Sequence, residues 1–156
     1  MTSEPPTPPS EKSDRPRDRF GRPLPAGSAN RLDLPNFDAL SIAENHRVGI
    51  DYFNEGVFFG AHEAWETAWR ASKDTPDEPF FKALAQLGAG YTHYQRNNPH
   101  GVRALLTRAA VGLVEYPSPY LDLDVRGLLR AIEADLRRLG ERDREDGVPA
   151  LEPPQL

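Results

Sequence analysis

Phe53-Asn54-Glu55-Gly56-Val57-Phe58-Phe59-Gly60-Ala61-His62-Glu63-Ala64-Trp65-Glu66-Thr67-Ala68-Trp69-Arg70 sets one histidine and the pair Glu63 and Glu66 among five large aromatic side chains. At about 100° per residue, Phe58, His62, Trp65 and Trp69 fall on one helical stripe, so the imidazole lies on the face that two tryptophans drive inward. A buried imidazole needs hydrogen-bond partners. This stretch therefore predicts a helix and marks where a function is to be sought.

Outward from it, spacing near 3.6 residues continues and no alternating strand pattern of useful length is present. A first helix is expected from Asp38 to about Asn54, with Leu40, Ala43, Val48, Ile50 and Phe53 on its apolar side and Gly56 as a left-handed cap. The second spans about Phe58 to Ser72. Thr75 before Pro76 has the order of an N-cap followed by proline, predicting a third helix from about Asp77 to Arg96 with Phe80, Leu84, Leu87, Tyr91 and Tyr94 in its stripe. A fourth is expected from Pro99 to Glu115, and a fifth from Leu123 to Leu139, closing at Gly140. Five helices with short links imply an all-α, single-domain bundle or array, adjacent helices packing antiparallel.

Composition marks off the ends. Residues 1–36 hold eight of the sixteen prolines and little apolar surface, so they read as a disordered Pro-rich tail. Residues 37–140 form the expected helical domain. Residues 141–156, ending in Val148-Pro149-Ala150-Leu151-Glu152-Pro153-Pro154-Gln155-Leu156, read as an irregular C-terminal tail that frays or drapes over the surface.

With 156 residues and a net charge of −5, the chain lacks the basic stripe of a nucleic-acid surface, its arginines being interleaved with Asp and Glu. Zero cysteines exclude disulfides, thiolate catalysis and Cys-ligated zinc. The start, Met1-Thr2-Ser3-Glu4-Pro5-Pro6, lacks the apolar core of a secretory signal, and no stretch reaches the ~20 apolar residues of a membrane span, so a cytoplasmic protein with no membrane partner is expected. There is no Gly-rich phosphate loop and no GxSxG elbow. His46 and His100 are expected at solvated helix surfaces.

The pattern Phe53-Asn54-x-Gly56-x-Phe58-Phe59-x-Ala61-His62-Glu63-x-x-Glu66-x-x-Trp69-Arg70, then Ala85-Gln86-Leu87-x-Ala89-x-Tyr91-x-His93-x-Gln95-Arg96-x-Asn98, then Gly101-Val102-x-Ala104-Leu105-Leu106, resembles the uncharacterised bacterial and archaeal family catalogued as domain of unknown function 309. The resemblance covers roughly residues 44–116. It implies a small all-helical fold with polar residues clustered on the second and third helices, and it brings no activity, substrate or cofactor. Where the family often carries Glu before Ala-His-Glu, this chain has Gly60, which removes one carboxylate and leaves His62 and Glu63 in place.

From the residues themselves, His62 and Glu66 are four apart and share a face, whereas Glu63 is rotated from them, so at most two of the three are expected to enter one pocket. Gln86 and His93, seven apart, align on the third helix, and Gly88 and Gly90 between them suit a close approach by backbone or ligand. His62 and His93 are expected to meet across the interface, with the Tyr91 and Tyr94 hydroxyls in reach. Three readings compete, taken in this order. The histidines are satisfied core residues and Glu66 pairs with Arg70. Alternatively His62, Glu63, Glu66, Gln86, His93, Tyr91 and Tyr94 line a site for a small molecule or partner helix. Or His62, Glu66 and His93 hold a divalent metal, with Glu63 as general base of a hydrolase; the His-Glu-x-x-Glu sequence only partly resembles the zinc-binding HExxH. Trp65 and Trp69 serve either the interior or an aromatic face for a homodimer or protein partner.

Overall fold

The structure is a computed structural model that describes residues 16–141 and 148–156; the expectations placed on 1–15 and on 142–147 lie outside the described residues. Two units divide it, Met1–Pro35 and Asn36–Leu156. In the first, residues 16–35 contain no helix. Asp18 Oδ1 accepts the N–H groups of Phe20 and Arg22, both at 2.9 Å, and this turn lets Arg17 and Pro23 pair as an isolated bridge. Arg19 and Arg22 lie over the Phe20 ring, 4.9 and 5.7 Å from its centroid. Proline and charge counts carry no trace of such local bonds.

The second unit holds five α-helices and no β-strand among the described residues: α1 (Ile42–Asn54), α2 (Phe58–Ala71), α3 (Glu78–Gln95), α4 (Pro99–Leu113) and α5 (Val125–Glu141), preceded by a 3-10 turn, Phe37–Ala39. The first helix begins later than expected. Ser41 and Glu44 form a capping box, the Ser41 Oγ accepting from Glu44 N–H and the Glu44 carboxylate from Ser41 N–H, and this sets the start at Ile42. Its end is as expected: Gly56 has φ +79°, its N–H donates to Phe53 O and that of Val57 to Tyr52 O, the two bonds of a Schellman motif. Thr75 is not the cap of α3. Its hydroxyl donates to Ser72 O at 2.6 Å, and the helix starts at Glu78 with Pro79 in its first turn. Asn98 caps α4 through Gly101 N–H, and Asp124 accepts from Gly127 N–H at the head of α5, which runs past Gly140 to Glu141.

Each helix packs on the next in sequence. Close pairs fix the directions. Phe53 meets Phe58 while Gly49 meets Trp65, so α1 and α2 are antiparallel. Phe58 meets Tyr91, His62 meets Gly88 and Trp69 meets Lys82, so α2 and α3 are too. Gly90 against Leu106 and Ala83 against Gly112 repeat the pattern for α3 and α4. The core is aromatic at its centre: Phe53, Phe58, Trp65 and Tyr91 are buried, with ring centroids 4.9 to 6.1 Å apart. Trp65 is wholly buried, which takes it away from any partner surface, whereas Trp69 is half-buried beneath Lys82 Nζ.

Candidate functional site

His62 occupies the tightest point of the α2–α3 interface. A Cβ at Gly88 would stand 2.8 Å from His62 N and 2.9 Å from its Cα, so glycine is what lets the two backbones approach. At that separation His62 Nδ1 reaches Ala85 O at 2.8 Å, while Nε2 faces Glu66 Oε2 at 3.1 Å. Both neighbours of the ring are acceptors. Each nitrogen must therefore carry hydrogen to be satisfied, and the imidazole sits as a cation. Burial opposes that charge, but the Glu66 carboxylate and then the Ala85 carbonyl outweigh it and raise the His62 pKa above the ordinary histidine value. Glu66 Oε1 accepts from Arg70 Nη1 at 2.7 Å, and Arg70 reaches toward Asp38 at 3.9 Å, so the row continues along α2 as alternating charges.

The side chains of His62 and Glu66 are 24 % and 25 % exposed, which leaves this row reachable from solvent. One ligand atom from each of His62, Glu63 and Glu66 lies within 4.8 Å of the others. All three side chains therefore converge on one patch of the α2 surface. The carboxylate arms are long enough to offset the 100° rotation between neighbouring positions.

His93 is not in this group. The antiparallel register sets His62 opposite Gly88, five positions from His93 on α3. His93 instead presses its ring on Gly101 of α4 and its Nδ1 lies 3.0 Å from Asn98 Nδ2. Burial, then the positive charges of Arg96 and His62, lower its pKa. Gln86 is half-buried and forms no hydrogen bond to a described residue. Phe59 stands 6.2 Å from the His62 ring, and the Arg96 guanidinium lies over the Phe59 ring, 5.8 Å from its centroid. The tyrosine hydroxyls expected at the histidines are used elsewhere: Tyr91 donates to Asp135 at 2.6 Å and Tyr94 accepts from Leu151 N–H at 3.2 Å. Burial, then Asp135, push the Tyr91 pKa far above its usual value.

Among the buried polar groups that escaped the sequence reading, His46 and Asp135 are the titratable ones. His46 is buried on α1, not solvated; its Nδ1 accepts from Trp65 Nε1 at 3.2 Å and its Nε2 lies 2.9 Å from Leu121 O. One partner donates and the other accepts, so this ring is neutral with hydrogen on Nε2. Asp135 on α5 is wholly buried with Tyr91 and Arg138 as partners. A polar residue on a buried helical stripe was the available signal in both cases, His46 between Ile42 and Phe53 and Asp135 between Ile132 and Leu139. His100 is exposed, as expected.

No helix among the described residues is long and apolar enough to cross a membrane. No curated protein and no solved structure matches the chain. A family model does match, over a stretch that runs from within α1 to within α4 and takes in His62, Glu63, Glu66, Gln86 and His93. Residues 47–105 match the model of the family described as Domain of unknown function (DUF309), and over that stretch the chain is similar to this family.

Proposed function

We propose that the helical unit is a binding module and that the α2 surface at His62, Glu63 and Glu66 takes a divalent cation without performing catalysis. The observation that carries this reading is the pairing of His62: its Nδ1 is fixed on the Ala85 carbonyl while Nε2 is directed at a carboxylate, with a second carboxylate within 4.8 Å. Metal-bound histidines commonly donate their other ring N–H to a backbone carbonyl in this way. A cation would replace the Nε2 proton and draw on Glu63 and Glu66 as oxygen ligands, a donor set suited to zinc or manganese. With Glu63 counted as a ligand, the group holds no further carboxylate to act as a general base, so the hydrolase reading loses its expected base.

A specific observation favours a second reading, in which the row is only a brace. Glu66 is tied to Arg70 at 2.7 Å and would have to share its charge with any metal. Calorimetric titration with zinc and manganese separates the two. Binding near one equivalent, with proton release, is expected for the native chain and absent in Glu63→Gln, a change outside the His62–Glu66–Arg70 contacts that should leave apo stability nearly unaltered. No heat with either metal would leave the brace as the role of these residues.

A further inference from the structure

Residues 148–156 have no regular secondary structure, yet side chains of the helical body hold them along their length. Val148 N–H donates to Asn97 Oδ1 at 2.9 Å, Leu151 N–H to the Tyr94 hydroxyl at 3.2 Å and Glu152 N–H to Asp135 Oδ1 at 2.9 Å. Leu156 N–H donates to Asn54 Oδ1 at 2.8 Å, and Asn54 Nδ2 donates back to the main-chain oxygen of Leu156 at 3.1 Å. Every one of these bonds reads main chain, which any residue other than proline can offer. Two side chains are read most closely, Leu151, which is buried in the core, and Glu152, whose carboxylate lies 3.3 Å from Arg138 Nη2, while Val148 and Leu156 pack against the core edge and Gln155 Nε2 lies 3.5 Å from Asn54 O.

Asp135 shows that the groove is built for this contact. Its Oδ2 accepts from Tyr91, and its Oδ1 from Arg138 Nη1 at 2.6 Å as well as from Glu152 N–H. A wholly buried carboxylate depends on its full set of donors, and here one donor is a peptide N–H from a segment with no helix or strand of its own. The prolines fit the same scheme. Pro149, Pro153 and Pro154, which lack N–H groups, fall between the positions at which the groove supplies an acceptor, and they hold the chain extended before it docks.

We propose that this groove is a docking site for an extended, proline-containing peptide of a partner protein, and that residues 148–156 fill it in cis. The partner peptide carries an apolar residue for the Leu151 position, then an acidic residue to meet Arg138, with prolines where the groove has no acceptor. Main-chain bonds supply the affinity and the two side-chain positions the selectivity, as in other extended-peptide recognition. The tether gives the resident segment a millimolar-range effective concentration, so it guards the groove against weaker peptides.

The test uses the full chain with a protease site placed between Glu141 and Val148, folded, cut and dialysed to release the segment, and a fluorescent peptide copying residues 148–156. Saturable one-to-one binding to the cut chain is expected, with binding to the uncut chain weaker by about tenfold or more. A peptide N-methylated at Glu152, which removes the donor to Asp135, should bind about tenfold or more weakly. Loss of helical circular dichroism on cutting would make the segment part of the fold itself and overturn the proposal; so would a folded cut chain that ignores the peptide, or one that binds a scrambled peptide equally well. A concentration-dependent dimer of the uncut chain, lost on deletion of residues 148–156, would assign the groove to a second copy and overturn the partner assignment.

Discussion

His46 and His62 are both held at two ring nitrogens inside the same antiparallel array, and they end in different charge states, one neutral and one cationic. Around His46 one neighbour is the Trp65 N–H and the other the Leu121 carbonyl, so the ring is neutral and burial pushes its pKa down, against the pull of the Leu121 bond and of Asp122 and Asp77. Around His62 both neighbours are acceptors, and its pKa rises despite burial. Whether the ring carries a charge follows from the partners rather than from depth. His62 itself sits at a glycine contact, where a Cβ at Gly88 would meet backbone, whereas at His46 it is the partner indole that does so, a Cβ at Gly49 standing 2.6 Å from Trp65.

The largest effect should come from Trp65→Ala, which empties the core around His46 and removes its donor; a loss of ~3–5 kcal/mol is expected in urea denaturation. A loss under 1 kcal/mol would show that the indole is not the anchor of that side. Next, Gly88→Ala should cost about 1–3 kcal/mol through overpacking, and because the obstacle is backbone it should also disturb the Nδ1 bond to Ala85, seen as a changed His62 imidazole resonance. An unshifted resonance would separate the close approach from the charge state. His46→Gln comes third, at about 1–3 kcal/mol, since Gln cannot serve both the Trp65 N–H and the Leu121 carbonyl in the same geometry. His62→Gln, at a quarter-exposed site, should stay near or below ~1 kcal/mol.

The smallest and most discriminating effect is in pH. A folded pKa below the unfolded value of ~6.5 means that His46 contributes stability above that pH and loses it as pH falls through the depressed value; His93 acts in the same sense. A raised folded pKa means that His62 contributes stability below ~6.5 and loses it as pH rises through the raised value. Thermal midpoints across pH 5 to 8 should therefore lose their acid-side slope in part with His46→Gln and their alkaline-side slope with His62→Gln. If both variants alter the same limb, the assignment of one neutral and one cationic ring fails.

Much of this was legible in the chain. The spacing of apolar residues located all five helices, Gly56 announced the end of α1, and the i,i+4 spacing put His62 beside Glu66 and Glu66 beside Arg70. What could not be read was register. Periodicity aligns Gln86 with His93 along α3, but only the packing of Phe58 on Tyr91 and Gly88 on His62 decides which level of α3 faces the imidazole. Long-range partners were hidden for the same reason: nothing local links His46 to Leu121, Asp135 to Tyr91, or Asn54 to Leu156. The Ser41-x-x-Glu44 capping box carries the true start of α1 in the sequence, but Leu40 extends the apolar pattern one turn ahead of the helix, so apolar spacing alone points to Asp38.

Because each helix packs chiefly on its neighbour in sequence, most of the array's helix packing forms without closing long loops, the topology of fast-folding chains that assemble in microseconds to milliseconds. The grip of Asn54 on Leu156 spans 102 positions and belongs to the other extreme. Its closure gains little until the helices are in place, so it should form after the rate-limiting step. Substitutions at Asn54 or along residues 148–156 should then leave the folding rate nearly untouched and appear almost wholly as faster unfolding.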